Sequence, residues 1–189
     1  MLASILPNPL HPAIVHLPIA LSLILPLVAA GALWAVRTGA RPMRAWGVAI
    51  AFFAALTLSS WLAVETGEQT GERVERAIGE APVETHEEAA EAFLVLSLGV
   101  LVVALAGLRD GRIGQGARAL GTVGALALVA AGFNVGHSGG ALVYQHGAAS
   151  VYAGNVGNTA NPTASPNETT TEVSTGSVRE RDEDEEDEK

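Results

Sequence analysis

Long apolar segments alternate with polar segments through the first 149 residues of the chain. Four apolar segments have the roughly 20 residues that a helix needs to cross a bilayer, and they cover residues 14–36, 45–64, 89–108 and 119–144. The first of them would rise about 34 Å as a helix, slightly more than the thickness of the hydrocarbon core. The pattern predicts an all-α fold, a transmembrane four-helix bundle.

The polar segments between these spans differ in charge. Six of the eleven basic residues lie in the two short loops 37–44 and 109–118, whereas the longer loop 66–85 is rich in glutamate. By the positive-inside rule, the two arginine-rich loops face the cytoplasm. We therefore expect a multi-pass protein of the cell (inner) membrane with both termini on the outer side. Within the glutamate-rich loop, the pattern over 68–78 suits either a short interfacial helix or a solvated loop.

Composition agrees with a membrane protein and limits the available chemistry. Apolar residues make up 49% of the chain and charged residues 16%, and the absence of cysteine excludes disulfides and thiolate sites. The net charge of −9 arises mainly at the end of the chain, because residues 179–189 hold eight carboxylates against three basic groups. We expect a four-span domain over 1–149 and a disordered acidic C-terminal tail over 150–189.

All five histidines fall on the side predicted to lie outside. They stand at the start of the first span, at the start of the third, and in and just after the outer part of the fourth: His11, His16, His86, His137 and His146. An ionisable residue within or at the edge of a membrane span is a candidate functional residue, because burying it without a role is costly.

Two local patterns bear on these histidines. Pro18 has no N–H, so it leaves a carbonyl one turn earlier without its helical partner, and we expect an opened turn beside His16. Thr85 and Glu88 have the spacing of a capping box. That box would place His86 in the first turn of the third span, where the helix dipole favours the neutral ring that binds metals.

A row of glycines runs along the fourth span. Gly132, Gly136 and Gly140 recur every four residues and predict a smooth stripe for close helix packing. Asn134 and His137 flank this stripe, so we expect both side chains to face neighbouring helices and not lipid.

Three groups of residues resemble the motifs of a known family. They are His-Pro-x-x-Val-His-x-Pro-Ile-Ala-Leu at 11–21, Glu-Thr-Gly-Glu at 65–68 leading to Thr-His-Glu at 85–87, and Gly-Gly-x-Leu-Val-Tyr-x-His-Gly at 139–147. Over roughly residues 8–152 the chain resembles the predicted four-span prokaryotic membrane proteins grouped as domain of unknown function 2231, with Leu17 where phenylalanine is expected. The resemblance implies a four-span fold without an established chemistry. The candidate functional residues that it implies are His11, His16, His86 and His146.

Three functions agree with these patterns. In the first, the histidines hold b-type haem or another redox metal near the outer face for electron transfer, with His16 paired with His86 or His146. In the second, an ion such as zinc, copper or iron is bound for sensing or transport; the candidate ligands are His16, His86, His146, Glu65, Glu87 and Glu91. In the third, the protein is a structural or accessory membrane subunit without a cofactor.

Other classes of function have weaker support. The sequence shows no recognisable nucleophile with its base, which argues against an enzyme without excluding one. It has no phosphate-binding loop, no dinucleotide fingerprint and no basic aromatic surface that would suit nucleic acid. The partners that we expect are the lipid bilayer and either a membrane redox partner or a second copy of the chain.

Overall fold

The structure, a computed structural model, describes residues 10–151. Its helices are α1 (His11–Ile14), α2 (His16–Arg37), α3 (Pro42–Ile78), α4 (Glu80–Ala106) and α5 (Gly111–Tyr144). This described part contains no strand, and four of its helical segments are long and apolar enough to cross a membrane, α1 and α2 together forming the first. The predicted all-α four-span fold is confirmed. The predicted disordered tail lies, beyond Val151, outside the described residues.

The four long helices form a closed bundle with an up-and-down order. Each packs against its neighbour in the chain, and α2 also packs against α5. The core between them is built from fully buried aromatic and aliphatic side chains: Leu25, Ala29, Trp46, Ala49, Phe53, Leu56, Ala104, Ala125 and Leu128. The outward faces are apolar as well, as shown by the exposed side chains of Leu27, Val95 and Phe133. Apolar residues on both faces suit helices that lipid surrounds, so the protein is an integral membrane protein.

Trp46 and Arg118 close one end of this bundle. The Trp46 Nε1–H donates to the Ala104 carbonyl at 2.8 Å. Arg118 is only 3% exposed, and its Nη1 donates to the carbonyls of Gly107 and Arg109. The last carbonyls of a helix have no partner within it, so Arg118 serves as a cap for the C-terminal end of α4.

The glutamate-rich stretch differs from both of the predicted alternatives. α3 continues without a break from the apolar segment through Ile78, and only Gly79, with a φ of 93°, separates it from α4. Val74 and Ile78 pack against a second, smaller apolar cluster formed by Val83, Leu142 and Ala148. This contact with α4 and α5 explains why the helix extends beyond its membrane-spanning part.

The predicted capping box does not exist. α4 begins at Glu80, and Thr85 lies inside it, where its Oγ1 donates to the Ala81 carbonyl at 2.9 Å. The helix starts earlier because its first turns pack against the extension of α3. His86 consequently lies in the second turn of α4, and the predicted position in the first turn, beside the helix dipole, was wrong.

The glycine row on α5 packs closely only at its first member. A Cβ on Gly132 would lie 3.4 Å from Phe93 and 3.5 Å from Ser22 Oγ, whereas Gly136 and Gly140 have nothing within 4 Å. Residues four apart advance about 40° beyond a full turn, so the row rotates away from the packing face. The predicted continuous stripe was therefore wrong.

The residues beside that row follow the same rotation. Asn134 and His137 are exposed and do not face neighbouring helices, which corrects the prediction made for them. The His137 ring instead stacks on Phe133 of the same helix, with centroids 6.4 Å apart. The face of α5 that is buried runs along a different set of positions: Gly114, Arg118, Gly121, Ala125, Leu128 and Leu142.

Candidate histidine site

His11 and His86 lie side by side at the end of the bundle opposite the arginine-rich loops. Their ring centroids are 6.4 Å apart, and the planes of the two rings meet at 80°. His11 is the first residue of α1, which packs on α3, and His86 belongs to α4. The site therefore joins the start of the first span to the start of the third.

The His11 ring is held by the backbone of α3. Its Nδ1 lies 2.8 Å from the Ala63 carbonyl oxygen and 3.4 Å from Thr66 Oγ1. A carbonyl can only accept, so Nδ1 carries the ring proton of neutral His11 and donates it to Ala63. Gly67 makes room for the ring, because a Cβ at this position would lie 3.2 Å from His11 Cε1.

The His86 ring is held in the same way by α5. Its Nδ1 lies 3.0 Å from Ser138 Oγ, and that hydroxyl donates to the Val135 carbonyl at 3.0 Å. A serine hydroxyl has one proton, which is already used here, so Nδ1 of neutral His86 is the donor to Ser138. Gly139 makes room on this side, since a Cβ there would lie 3.0 Å from His86 Cε1.

These hydrogen bonds give both neutral rings the same tautomer. With Nδ1 protonated, each Nε2 carries a free lone pair, and neither Nε2 has a hydrogen-bond partner in the described part of the chain. Neither atom is sealed from its surroundings, because residues 10–151 contain no buried side-chain nitrogen or oxygen without a partner. Histidines that bind metals commonly use this arrangement, in which the other ring nitrogen donates to a protein oxygen.

The sequence predicted that His16, and not His11, would be the histidine of the first span that pairs with His86 or His146. The helix is interrupted beside it, as expected from Pro18: α1 ends at Ile14 and α2 begins at His16. However, five residues of helix turn a side chain about 140° around the axis. His11 faces α3, and His16 is exposed. No hydrogen bond or ring contact joins His16 to His86 or His146 in the described structure, so the pairs preferred from the sequence are not brought together.

His146 lies just beyond the end of α5 and is exposed. It borders an open cleft of about 300 Å³, together with Thr85, Ser138 and Leu142. The cleft reaches the serine that holds His86. Among residues 10–151, no hydrogen bond or ring contact links His146 to either ring of the pair.

The carboxylates of the predicted ion site are also dispersed. Glu65 and Glu91 are exposed, whereas Glu87 is half-buried against Gly71, where a Cβ would lie 2.8 Å from its Oε1. Within the described range, no group of three or more histidine, aspartate or glutamate side chains could hold a metal ion. No such group among residues 10–151 joins the predicted set of His16, His86, His146, Glu65 and Glu87, whose exposed members His16, Glu65 and His146 belong to three different parts of the chain.

The groups that hold the two rings were not predicted from the sequence. They are the Ala63 carbonyl, Thr66 and Gly67 on α3, and Ser138 and Gly139 on α5. Two of the motifs, Glu-Thr-Gly-Glu and Gly-Gly-x-Leu-Val-Tyr-x-His-Gly, contain the two glycines and were the available signal. Comparisons with known proteins add no further site residues, because no family model, curated protein or solved structure matches the chain.

Proposed function

We propose that this integral membrane protein binds b-type haem between His11 and His86 and uses the iron for electron transfer at one face of the membrane. The observation that carries the proposal is the shared tautomer of the two rings. Both Nδ1 atoms donate to fixed oxygens of neighbouring helices, which leaves both Nε2 lone pairs free, and the two ring centroids lie 6.4 Å apart. Because the arginine-rich loops lie at the opposite end of the bundle, the positive-inside rule supports a site on the outer side of the membrane.

The separation of the rings suits two ligands of one metal. A metal–imidazole bond is about 2 Å long and a ring centre lies about 1 Å behind Nε2, so two opposed rings have centroids roughly 6 Å apart. The centroids of His11 and His86 are 6.4 Å apart. The angle of 80° between the rings is compatible with ligation, since each ring can rotate about its own bond to the metal.

Haem is favoured over a bare ion by the number of ligands. A porphyrin supplies four nitrogens, so two histidines complete the coordination of its iron. A zinc site takes three or four ligands from the protein, and the described residues offer no such group. Four-helix bundles hold cofactors between facing helices in this manner.

The short helix α1 gives the site a means of accepting a flat ligand. It contains four residues, is joined to α2 by Val15 and packs on α2 and α3, and its His11 ring also lies beside His86 of α4. In the complex that we propose, His11 moves with this short helix to admit a porphyrin edge while the four long helices stay packed.

A structural function is the competing candidate, and one observation favours it. Each Nδ1 hydrogen bond crosses between helices, tying α1 to α3 and α4 to α5. In that case the rings serve packing alone, and the protein folds equally well without any cofactor.

An absorbance experiment separates the two functions. Protein produced with haem available and purified in mild detergent should show a Soret band that shifts on reduction, with about one haem per chain by pyridine haemochrome assay. His11→Ala and His86→Ala should each lose the band. His16→Ala and His137→Ala are the matched controls, because both side chains are exposed, and they should keep it.

Two results would contradict haem binding. One is a wild-type protein that stays colourless while eluting as a single folded species. The other is loss of the band in His16→Ala with retention in His11→Ala. Metal analysis of the same samples would reveal a bound zinc or copper ion, which would support the second function predicted from the sequence.

A further inference from the structure

A basic cleft lies at the end of the bundle opposite the histidine pair. It has a volume of about 270 Å³ and opens between α2 and α5. Its lining residues are two apolar side chains, an amide and two arginines, and they include no carboxylate: Leu33, Val36, Arg37, Gln115 and Arg118.

Arg118 brings a buried positive charge to this cleft. Its side chain is only 3% exposed, and the acceptors of its Nη1 are the neutral carbonyls of Gly107 and Arg109. Carbonyls satisfy N–H groups but do not neutralise the charge of a guanidinium, and a buried charge without a counter-ion is costly.

Two further nitrogens of the Arg118 guanidinium, Nε and Nη2, are left without a protein acceptor among residues 10–151. They are not sealed off, because no buried side-chain nitrogen in residues 10–151 lacks a partner. The cleft that Arg118 lines is where these two donors can meet a ligand.

The surroundings strengthen the attraction for an anion. The segments 37–44 and 109–118 contain six arginines and one aspartate, a net charge of +5. Arg37 stands in the last turn of α2, and it adds a second guanidinium at the mouth of the cleft. Gln115 lies one turn before Arg118 on α5 and offers amide N–H donors to the same space.

The walls of the cleft place it beside the bilayer. Leu33 and Val36 are apolar, and the neighbouring Trp34 and Leu120 are exposed on the outer faces of α2 and α5. Tryptophan is enriched at the level of lipid headgroups, and basic pockets between membrane helices are a known type of site for anionic headgroups.

We propose that this cleft binds a phosphate group, held by the guanidinium groups of Arg37 and Arg118 and by the Gln115 amide. Arginine forks match phosphate oxygens in pairs, which suits the two open nitrogens of Arg118. The volume corresponds to about nine waters at roughly 30 Å³ each, enough for a phosphate with part of its hydration. The phosphate group belongs either to an anionic lipid or to free inorganic phosphate.

The test uses full-length protein in detergent and measures the thermal unfolding midpoint and bound lipid by native mass spectrometry. Phosphatidylglycerol, phosphatidylcholine and inorganic phosphate are added separately. Phosphatidylglycerol should raise the midpoint and remain bound, and phosphatidylcholine should not. Arg37→Gln should weaken the affinity about fivefold, the loss expected for one basic residue near an anionic headgroup. Arg44→Gln, with the same charge change outside the cleft, should weaken it less than twofold.

Gln115→Glu provides a second variant with an opposite signature. Its carboxylate would lie one turn from Arg118 and act as an internal counter-ion. It should raise the midpoint of the lipid-free protein and abolish the effect of the added ligand. Stabilisation by phosphatidylglycerol alone assigns the phosphate group to a lipid, and equal stabilisation by inorganic phosphate assigns it to the free ion. Equal losses in Arg37→Gln and Arg44→Gln, binding by Gln115→Glu at the wild-type level, or no binding of either ligand would overturn the proposal.

Discussion

Gly139 and Gly140 form a matched pair of positions for testing how tightly the His86 ring is held. Both are in α5, one residue apart, and neither is fully exposed. A Cβ on Gly139 would lie 3.0 Å from His86 Cε1 and 3.4 Å from its Nδ1, whereas a Cβ on Gly140 would meet nothing within 4 Å. Alanine therefore has the same effect on helix propensity at both positions, but only alanine at Gly139 crowds the His86 ring.

The magnitudes follow from two terms. Replacing glycine by alanine inside a helix stabilises it by roughly 0.5–1 kcal/mol. At Gly139 the ring must also move by a few tenths of an ångström, which weakens its bond to Ser138, and such a bond contributes about 0.5–1.5 kcal/mol. The whole cost of crowding a packed site, which includes this weakened bond, is about 1–3 kcal/mol. We expect Gly140→Ala to be more stable than the wild type and Gly139→Ala to be less stable, with a difference of about 1–3 kcal/mol.

The assay is reversible unfolding in mixed micelles of a mild detergent and dodecyl sulfate, followed by circular dichroism. In the His86→Ala background, Gly139→Ala should no longer destabilise the protein, because the ring that the new methyl group meets is gone. Equal stabilities of Gly139→Ala and Gly140→Ala would refute the reasoning, since they would show that His86 does not pack against α5.

Two further predictions concern the site and the topology. Ser138→Ala removes the acceptor of His86 Nδ1 and should lower the affinity for haem about 10–100-fold in a haem titration. Ser97→Ala is the control, because the Ser97 hydroxyl bonds only within α4, and it should leave the affinity unchanged. Equal losses of affinity in the two variants would contradict the role of Ser138. Single cysteines replacing Ala40, Glu72 or Gly116, all exposed, should react with an impermeant reagent in sealed cells only at position 72, and labelling at the other two would reverse the predicted orientation.

The four spans could be predicted because lipid imposes a simple requirement on sequence. Every spanning segment must be long, apolar and internally hydrogen-bonded, and this leaves a strong local pattern. The helices of the structure contain all four predicted segments except for Val15 in the first and the last two residues of the third. The direction of the chain across the membrane rests on the arginine count alone and stays a prediction.

The ends of the helices were harder to predict, since they depend on contacts between distant residues. The stretch after the second span is polar, and its local pattern suits a loop as well as a helix. α3 continues to Ile78 because Val74 and Ile78 meet Val83 and Leu142 from two other helices. Because of the same contact, α4 begins at Glu80 and not at Thr85. The capping box was predicted from local residue spacing, and tertiary packing overrides that spacing.

The histidine site illustrates the same limit at the scale of single side chains. Position along the chain correctly gathered candidate histidines at one end of the bundle, because any residue near the start of the first or third span must lie there. Which of His11 and His16 points inward depends on helix phase and on where α1 meets α3, whereas Pro18 was the reason for expecting His16. The side chains of His11 and His16 point about 140° apart around the helix axis, and in the structure it is His11 that faces α3. Gly67 and Gly139 then leave room for the two rings. The geometry of the pair therefore depends more on residues of α3 and α5 than on the residues next to each histidine in the sequence.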